Sequence, residues 1–454
     1  MLIKFIAKNI YSFKDETEFN LLPNKTHRLS HHKVSHSGID FLRLSAIYGA
    51  NGSGKSNLIK CISILKNSIE SGKIVEKVDE LKFRLSEENA NIPISFGIEF
   101  YAKTKVYYYS LTFDKGVILN EYLAESKREK DILIFERSND ENEQVIRFYN
   151  GYTKTPKNKL FVEILAEKLL QKNELLISFL SSKYADEFTD SKVVFDWFFS
   201  TLVVIRPDTK PDAIAHVLDT DTKLKDFANY FIPKLKTGVN KLNIEKEHIE
   251  KLEKEYGTEV KELLSQVKNE DNIIAVLSNK ENGEEFSAIN GEVYVKRIVA
   301  THLNDKGKEV DFPLSMLSDG TKRLFDYIPA LYDIVQKEKV YIIDEIERSI
   351  HPITIKEIIS KFSLDESAKG QLIFTTHESC LLDQEIFRTD EIWLAQKAID
   401  GVSKLYSLSD FNIHNTANIE NGYLNGRFGG IPFLSNLKDL NWHKYEVSEQ
   451  EQSL

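Results

Sequence analysis

The apolar positions of this chain fall into runs of three kinds. LIKFIAKNI and TEFNLL, parted by YSFKDE, read as two strands at the N-terminus. LRLSAIYG is short, apolar and leads into a glycine-rich loop, which predicts a buried strand. KSNLIKCISILKNSI then places Leu58, Ile62 and Leu65 at helical spacing. SFGIEFYA, VYYYSLTFD and VILNEYLAE are rich in aromatic and β-branched residues and predict antiparallel strands. The polar, His-rich stretch from Asn24 to Ser37 reads as a loop.

Beyond about Thr155 the pattern changes. Residues 155–292 read as mainly helical, and LNIEKEHIEKLEKEYGTEVKELLSQVK carries a stripe at Ile249, Leu252, Tyr256, Val260, Leu263 and Val267. Gly257 and the short span argue against a long coiled coil. From Gly291 strands and helices alternate again. VYIID and QLIFTT are continuous apolar runs of the kind buried in parallel sheets, with the amphipathic ITIKEIISKF between them. EIWLAQ and SKLYSLSDF read as further strands, and HKYEVSEQEQSL as a frayed tail. The expected architecture is α/β, with mixed and parallel sheets and flanking helices. Residues 1–154 form one lobe, 155–292 a mainly helical insertion and 293–454 a second lobe.

Composition narrows the setting. At 454 residues the chain is long enough for two or three domain-sized units. A net charge of -10 argues against broad coating of nucleic acid, although a local basic groove stays open. Cys61 and Cys380 form no C-x-x-C pair, so neither a zinc site nor a disulfide framework is expected, and a reducing cytoplasm fits. No apolar run approaches a membrane span, and the first residues are too charged for a signal peptide.

Candidate chemistry sits in four places. Gly49, Asn51, Gly52, Ser53, Gly54, Lys55, Ser56 and Asn57 belong to a phosphate loop and its helix, matching G-x-x-x-x-G-K-[ST] at every position. Curled backbone N–H groups and the helix N-terminus would face phosphates, Lys55 would reach the β- and γ-phosphates, and Ser56 would ligate Mg²⁺. VYIIDE ends a strand in two acids: Asp344 as a metal ligand, Glu345 as the general base for water. His377 in FTTHES follows another core strand, where ligands of parallel sheets lie. In MLSDGT, Ser318 and Gly320 precede a helix and form a second anion site, which a partner subunit's ATP would fill. Each piece has a plainer reading: a glycine turn, a strand ending in an acid, a histidine bonded to backbone, an ordinary helix cap.

Together the motifs resemble the ATP-binding-cassette superfamily in its SMC and DNA-repair branch. LSDGT is similar to the family's signature, Ser349 to Pro352 to its D-loop and His377 to its switch histidine. More narrowly, SAIYGANGSGKSNLIK, LSDGTKRLF, IIDEIERSIHP and GRFGGIPFL resemble the compact ATPases of bacterial anti-phage and abortive-infection systems. The resemblance covers roughly the first 150 and last 160 residues. It implies a P-loop ABC-type ATPase head with a mainly helical insertion, and a homodimer sandwiching two ATP and Mg²⁺, with Ser318 and Gly320 acting in trans and Ser349 and His351 at the seam. An assembly larger than a dimer stays open. The family's Q-loop glutamine is not evident, and Glu121 is the candidate for that region.

Lys55 and Ser318 stand 263 positions apart, too far for a transporter cassette, while SMC-length heptads and a zinc hook are lacking. Only 77 residues follow His377, too few for the nuclease domain of the overcoming-lysogenisation-defect family. The chain is therefore expected to be an ATPase switch in anti-phage defence, acting on a separate effector, a nuclease or toxin. Two alternatives compete. One is a repair ATPase of the RecF or SMC kind, whose DNA contacts would fall at ESKREK and TKTPKNK. The other is an ATP-stabilised scaffold that sequesters a toxin.

Overall fold

A computed structural model describes residues 1–140, 143–209, 213–248, 276–279, 284–289, 292–414 and 417–431. Three sheets organise them. The central one has six strands, ordered Leu202–Ile205, Val340–Ile343, Gln371–Thr376, Leu44–Gly49, Ile392–Lys397, Ser403–Ser407. The first five run parallel and the last is antiparallel. Leu44–Gly49, Val340–Ile343 and Gln371–Thr376 are buried at every residue, because helices or sheet cover both faces.

An antiparallel sheet of seven strands lies over one face, ordered Gln144–Phe148, Ile132–Asn139, Val117–Glu125, Lys105–Asp114, Ile94–Ala102, Leu2–Lys8, Thr17–Asn20. Over Lys105–Asp114 buried and half-buried residues largely alternate, as the pleat requires. Its buried face meets Leu58, Ile62, Leu65 and Ile69 of the helix Lys55–Ser71, and also Ile342 and Ile373 of the central sheet, in one core. Each such fully buried apolar side chain contributes about 1.5–3 kcal/mol. The helix ends at Gly72, whose φ of 74° suits a left-handed cap. Against the other face of the central sheet pack the helices Asp319–Gln336 and Pro352–Ser363.

A third sheet departs from the sequence reading. Lys241–His248, expected within a helical stretch, is a strand paired along its whole length with Glu292–Leu303. Its apolar residues Leu242 and Ile244 are two apart, a strand period, and Leu242 is buried under the helices Ile214–Thr220 and Thr222–Phe231. Glu284–Ile289, Val276–Asn279 and Glu309–Pro313 complete this sheet. The stripe from Ile249 to Val267 lies outside the described residues, as does the tail. Among the described residues of 155–292, helix is confined to 156–235, and even there Leu202–Ile205 is a strand of the central sheet. The strands Ile132–Asn139 and Gln144–Phe148 extend the antiparallel sheet beyond the three read from sequence. The His-rich stretch is not all loop: Lys33–His36 pairs with Ile39–Leu42, and buried His32 bonds Glu391 at 2.8 Å. Among the described residues no helix is long and apolar enough to cross a membrane.

Buried polar groups fasten sheet to sheet. Gln371 accepts from the Leu2 N–H at 2.7 Å and donates to the Leu2 and Leu42 carbonyls at 2.9 and 2.7 Å. Arg43, buried, donates to the Ser363 carbonyl at 3.0 Å and so satisfies the C-terminus of the helix Pro352–Ser363. Gln371→Met would keep the volume and abandon three backbone groups. It is expected to destabilise the fold by at least about 2 kcal/mol. The urea unfolding midpoint checks this, and an unchanged midpoint would refute it.

Candidate functional site

Three parallel strands end side by side, and the loops that leave them make the site. Leu44–Gly49 opens into the glycine loop, which closes into the helix at Lys55. Gly54, at φ 110°, admits no side chain, since a Cβ would sit 2.4 Å from the Ser403 hydroxyl. Gly49 is equally pressed, with a Cβ placed 2.4 Å from the Ala395 carbonyl. Asn57 donates to the Ser12 hydroxyl at 2.8 Å, tying the first helical turn to the YSFKDE turn.

Lys55 is 4% exposed. Its ammonium donates to the carbonyls of Gly49 and Ala50 at 2.7 and 3.1 Å. Burial lowers its pKa to about 8, with Glu347, Asp344 and Glu345 opposing the fall. The ammonium is thus mostly charged at pH 7 and held by two backbone oxygens rather than by an ion pair.

Val340–Ile343 ends in Asp344 and Glu345. Thr375, on the neighbouring strand, donates its hydroxyl to Asp344 Oδ1 at 2.5 Å and accepts the Glu345 N–H at 2.8 Å. Ser56 Oγ donates to the same Asp344 oxygen at 3.1 Å. Glu345 takes a left-handed φ of 51° and Ser349 one of 63°. For such residues this conformation costs about 1–3 kcal/mol, and it turns the chain sharply away from the sheet. Among the described residues no three His, Cys, Asp or Glu side chains cluster to hold a metal. One hydroxyl beside one carboxylate suits Mg²⁺, which draws its remaining oxygens from phosphate and water.

His377 follows Gln371–Thr376. Its Nδ1 lies 3.4 Å from Lys55 Nζ, and its backbone N–H donates to Glu347 Oε1 at 2.7 Å. Burial first and the Lys55 charge second hold its pKa below the ordinary value, so the imidazole is neutral at pH 7. Gly49, Lys55, Ser56, Asp344, Glu345 and His377, far apart in sequence, therefore meet around one space. Sequence reasoning missed Thr375 and Glu347. The only cues were the two threonines closing QLIFTT, of which Thr375 is the first, and a third acid shortly after VYIIDE.

Ser318 and Gly320 are elsewhere. Ser318 caps the helix Asp319–Gln336, accepting the Thr321 N–H at 3.2 Å, and its turn is exposed, with Met316 72% exposed. No hydrogen bond or ion pair among the described residues joins that turn to the glycine loop. Gly320 lies against the Ser349 carbonyl, which a Cβ would approach to 2.4 Å. His351 is exposed and caps its own helix through Nδ1 and the Ile353 N–H at 3.2 Å. The signature helix reaches the acidic turn internally: Tyr327 donates to the Ile346 carbonyl at 3.1 Å, and Arg323 donates to Tyr327. Arg323 also holds the carbonyls of Arg206 and Thr209, in the loop leaving Leu202–Ile205. Lys127, Arg128 and Lys130, with Lys154, Lys157 and Lys159, are exposed, and Lys127 pairs with Glu125.

Glu121 is a correction. It is fully buried in the antiparallel sheet and accepts the N–H groups of Leu176 and Ile177 at 2.7 and 2.9 Å and the Tyr109 hydroxyl at 3.1 Å. Arg137 lies 3.7 Å away. With its lone pairs committed to a helix start, it has none for a nucleotide site. The loop Arg206–Thr209 instead leaves the strand next to Val340–Ile343, and Ile205 accepts the Asp344 N–H at 2.8 Å. Glu121→Ala should cost about 3–5 kcal/mol by stranding Arg137 and two amides. Denaturant titration checks this, and the loss should appear with nucleotide absent.

A family model described as "AAA domain, putative AbiEii toxin, Type IV TA system" matches residues 44–383. No protein with a curated description matches the chain. Among solved structures, an SmcHead bound to the C-winged helix domain of ScpA is 14% identical, covering 89% of this chain and 97% of that one, at a TM-score of 0.41. The SMC head domain from Thermotoga maritima is 16% identical over 89% and 98%, at 0.39. A Pyrococcus furiosus Smc head with an extended coiled coil, bound to the C-terminal domain of ScpA, is 13% identical over 94% and 98%, at 0.39. With its family match spanning most of the chain, this protein belongs to the AAA ATPase-domain family described as "AAA domain, putative AbiEii toxin, Type IV TA system".

Proposed function

We propose that this chain is an ATP-hydrolysing switch that closes as a homodimer around two ATP molecules and controls a separate effector, a nuclease or toxin. The observation that carries the reading is the split of the motifs. Lys55, Ser56, Asp344, Glu345 and His377 converge within one chain, whereas Ser318, exposed, and Gly320, half-buried, stand at a helix start and no hydrogen bond or ion pair among the described residues joins them to that cluster. An exposed helix N-terminus is suited to the γ-phosphate of a second copy's ATP. The family's description, naming a toxin and a type IV TA system, supports a setting in bacterial growth control or anti-phage defence.

In this reading the glycine-loop amides and Lys55 bind the phosphates. Ser56 and Asp344 hold Mg²⁺, which supplies charge neutralisation when bound. Glu345 takes the proton of the attacking water. The left-handed turn at Glu345 aims its carboxylate from the strand tip, and Thr375 keeps Asp344 and that turn in mutual register. Neutral His377 beside Lys55 contacts the γ-phosphate without adding to the local positive charge.

Wild type, Lys55→Ala and Glu345→Gln should be compared for turnover and for mass in ATP. Lys55→Ala should stay folded and lose ATP binding. Glu345→Gln should bind ATP, lose about 10²–10⁴-fold in turnover and accumulate as a dimer. Wild type that neither turns over nor changes mass would sink the proposal. A pH dependence is also expected. The Lys55 ammonium, with a pKa of about 8 in the free site, is the form that binds phosphate. ATP affinity should hold below pH 8 and fall roughly tenfold per unit above it. Calorimetric titration between pH 7 and 9.5 checks this, and a flat profile would contradict it.

A further inference from the structure

Glu347 stands two residues beyond the proposed base, on the turn between Val340–Ile343 and the helix Pro352–Ser363. The turn is braced from within: Arg348 N–H donates to Glu345 O at 3.0 Å and Ile350 N–H to Glu347 O at 2.8 Å. The side chain therefore leaves a stiff base. Its two oxygens meet different fates. Oε1 accepts the His377 N–H at 2.7 Å, bridging the acidic turn to the histidine turn on the next strand. Oε2 is shielded from solvent and has no hydrogen-bond partner among the described residues. His377 in turn stands 3.4 Å from Lys55 Nζ through its Nδ1, so Glu347 borders the same space, and its charge helps to hold the Lys55 ammonium protonated.

A shielded carboxylate oxygen without a donor is costly, so the occupied site must bring one. The candidates are few. Phosphate oxygens of ATP at neutral pH only accept. Lys55 is committed to Gly49 and Ala50 and, in the loaded site, to phosphate. The one N–H of the neutral His377 ring goes to the γ-phosphate in the reading above. What remains is water, carried on the metal or poised for attack.

We propose that Glu347 is a positioning residue for hydrolysis, holding the His377 turn with Oε1 and a water of the ATP-loaded site with Oε2. The inference rests on the ATPase reading above. Outer partners of this sort, which orient the groups in direct contact, typically carry a 10–100-fold effect.

Glu347→Gln and Glu347→Ala separate the two oxygens in the full chain. Gln keeps an acceptor for His377 and replaces Oε2 by a donor; Ala removes both. Hydrogen exchange at the His377 amide, without nucleotide, should stay slow in Glu347→Gln and become fast in Glu347→Ala. With Mg²⁺ and ATP, kcat of Glu347→Gln should fall about 10–100-fold while KM moves less than about threefold. Wild-type turnover in Glu347→Gln would overturn the proposal, as would an amide in Glu347→Ala that exchanges as slowly as wild type. An amide lost in Glu347→Gln as well would also overturn it, since the remaining carbonyl should suffice. Should wild type itself not hydrolyse ATP, the ATPase reading fails, and the exchange comparison still judges the His377 contact.

Discussion

One hydroxyl, that of Thr375, joins the parts on which the site depends. It donates to Asp344 and accepts the Glu345 amide, so the two acids hold their relative placement through the neighbouring strand rather than through their own. That is possible only because Gln371–Thr376 lies between Val340–Ile343 and Leu44–Gly49 in parallel register. Burial on both faces enforces the register, since a slip by one residue would exchange every side chain between two filled cores. The glycine loop, the acidic turn and the histidine turn are therefore three exits from one rigid end of a sheet. The glycine loop stands 288 positions before the acidic turn and 322 before the histidine turn, and this separation is of no consequence in space.

The helix Asp319–Gln336 couples that rigid end to the rest. Leu324 and Ile334 pack in the core under the central sheet, while Phe325 and Ile328 pack against the third sheet. Its Arg323 and Tyr327 reach the Arg206–Thr209 loop and the Ile346 carbonyl. The exposed Ser318 turn at its start is thus continuous, through packed side chains, with the acidic turn of the same chain. Gly320 beneath Ser349 makes that contact close, because a hydrogen is all that the Ser349 carbonyl leaves room for. A second copy binding at Ser318 would push on an element already seated against the acids.

How much of this could be read from sequence depended on how local each cause was. The glycine loop, VYIID, QLIFTT and the helix after Lys55 are contiguous patterns whose own periodicity sets their conformation. The strand Lys241–His248 reads as helix in the sequence because its neighbours from Ile249 onward carry a helical stripe, and two apolar residues two apart are too weak a signal beside it. Leu202–Ile205 is short, and its identity as a sheet edge comes from Val340–Ile343, more than a hundred residues away. As a polar residue in a strand, Glu121 reads in the sequence as available to a site. Three donors, two of them from Leu176 and Ile177, made it structural.

By itself the sequence determined the kinds of groups present and the loops that carry them: glycines where backbone must curl, a lysine after them, acids and a histidine at the ends of apolar strands. Those features depend on backbone sterics and on side-chain chemistry within a few residues. Tertiary structure alone decided which groups meet. Lys55 near His377, Ser56 on Asp344, Glu347 on the His377 amide and Ser318 apart from all of them follow from strand order and helix packing. Strand order is settled by the burial of whole faces, a sum over dozens of residues that no local window contains.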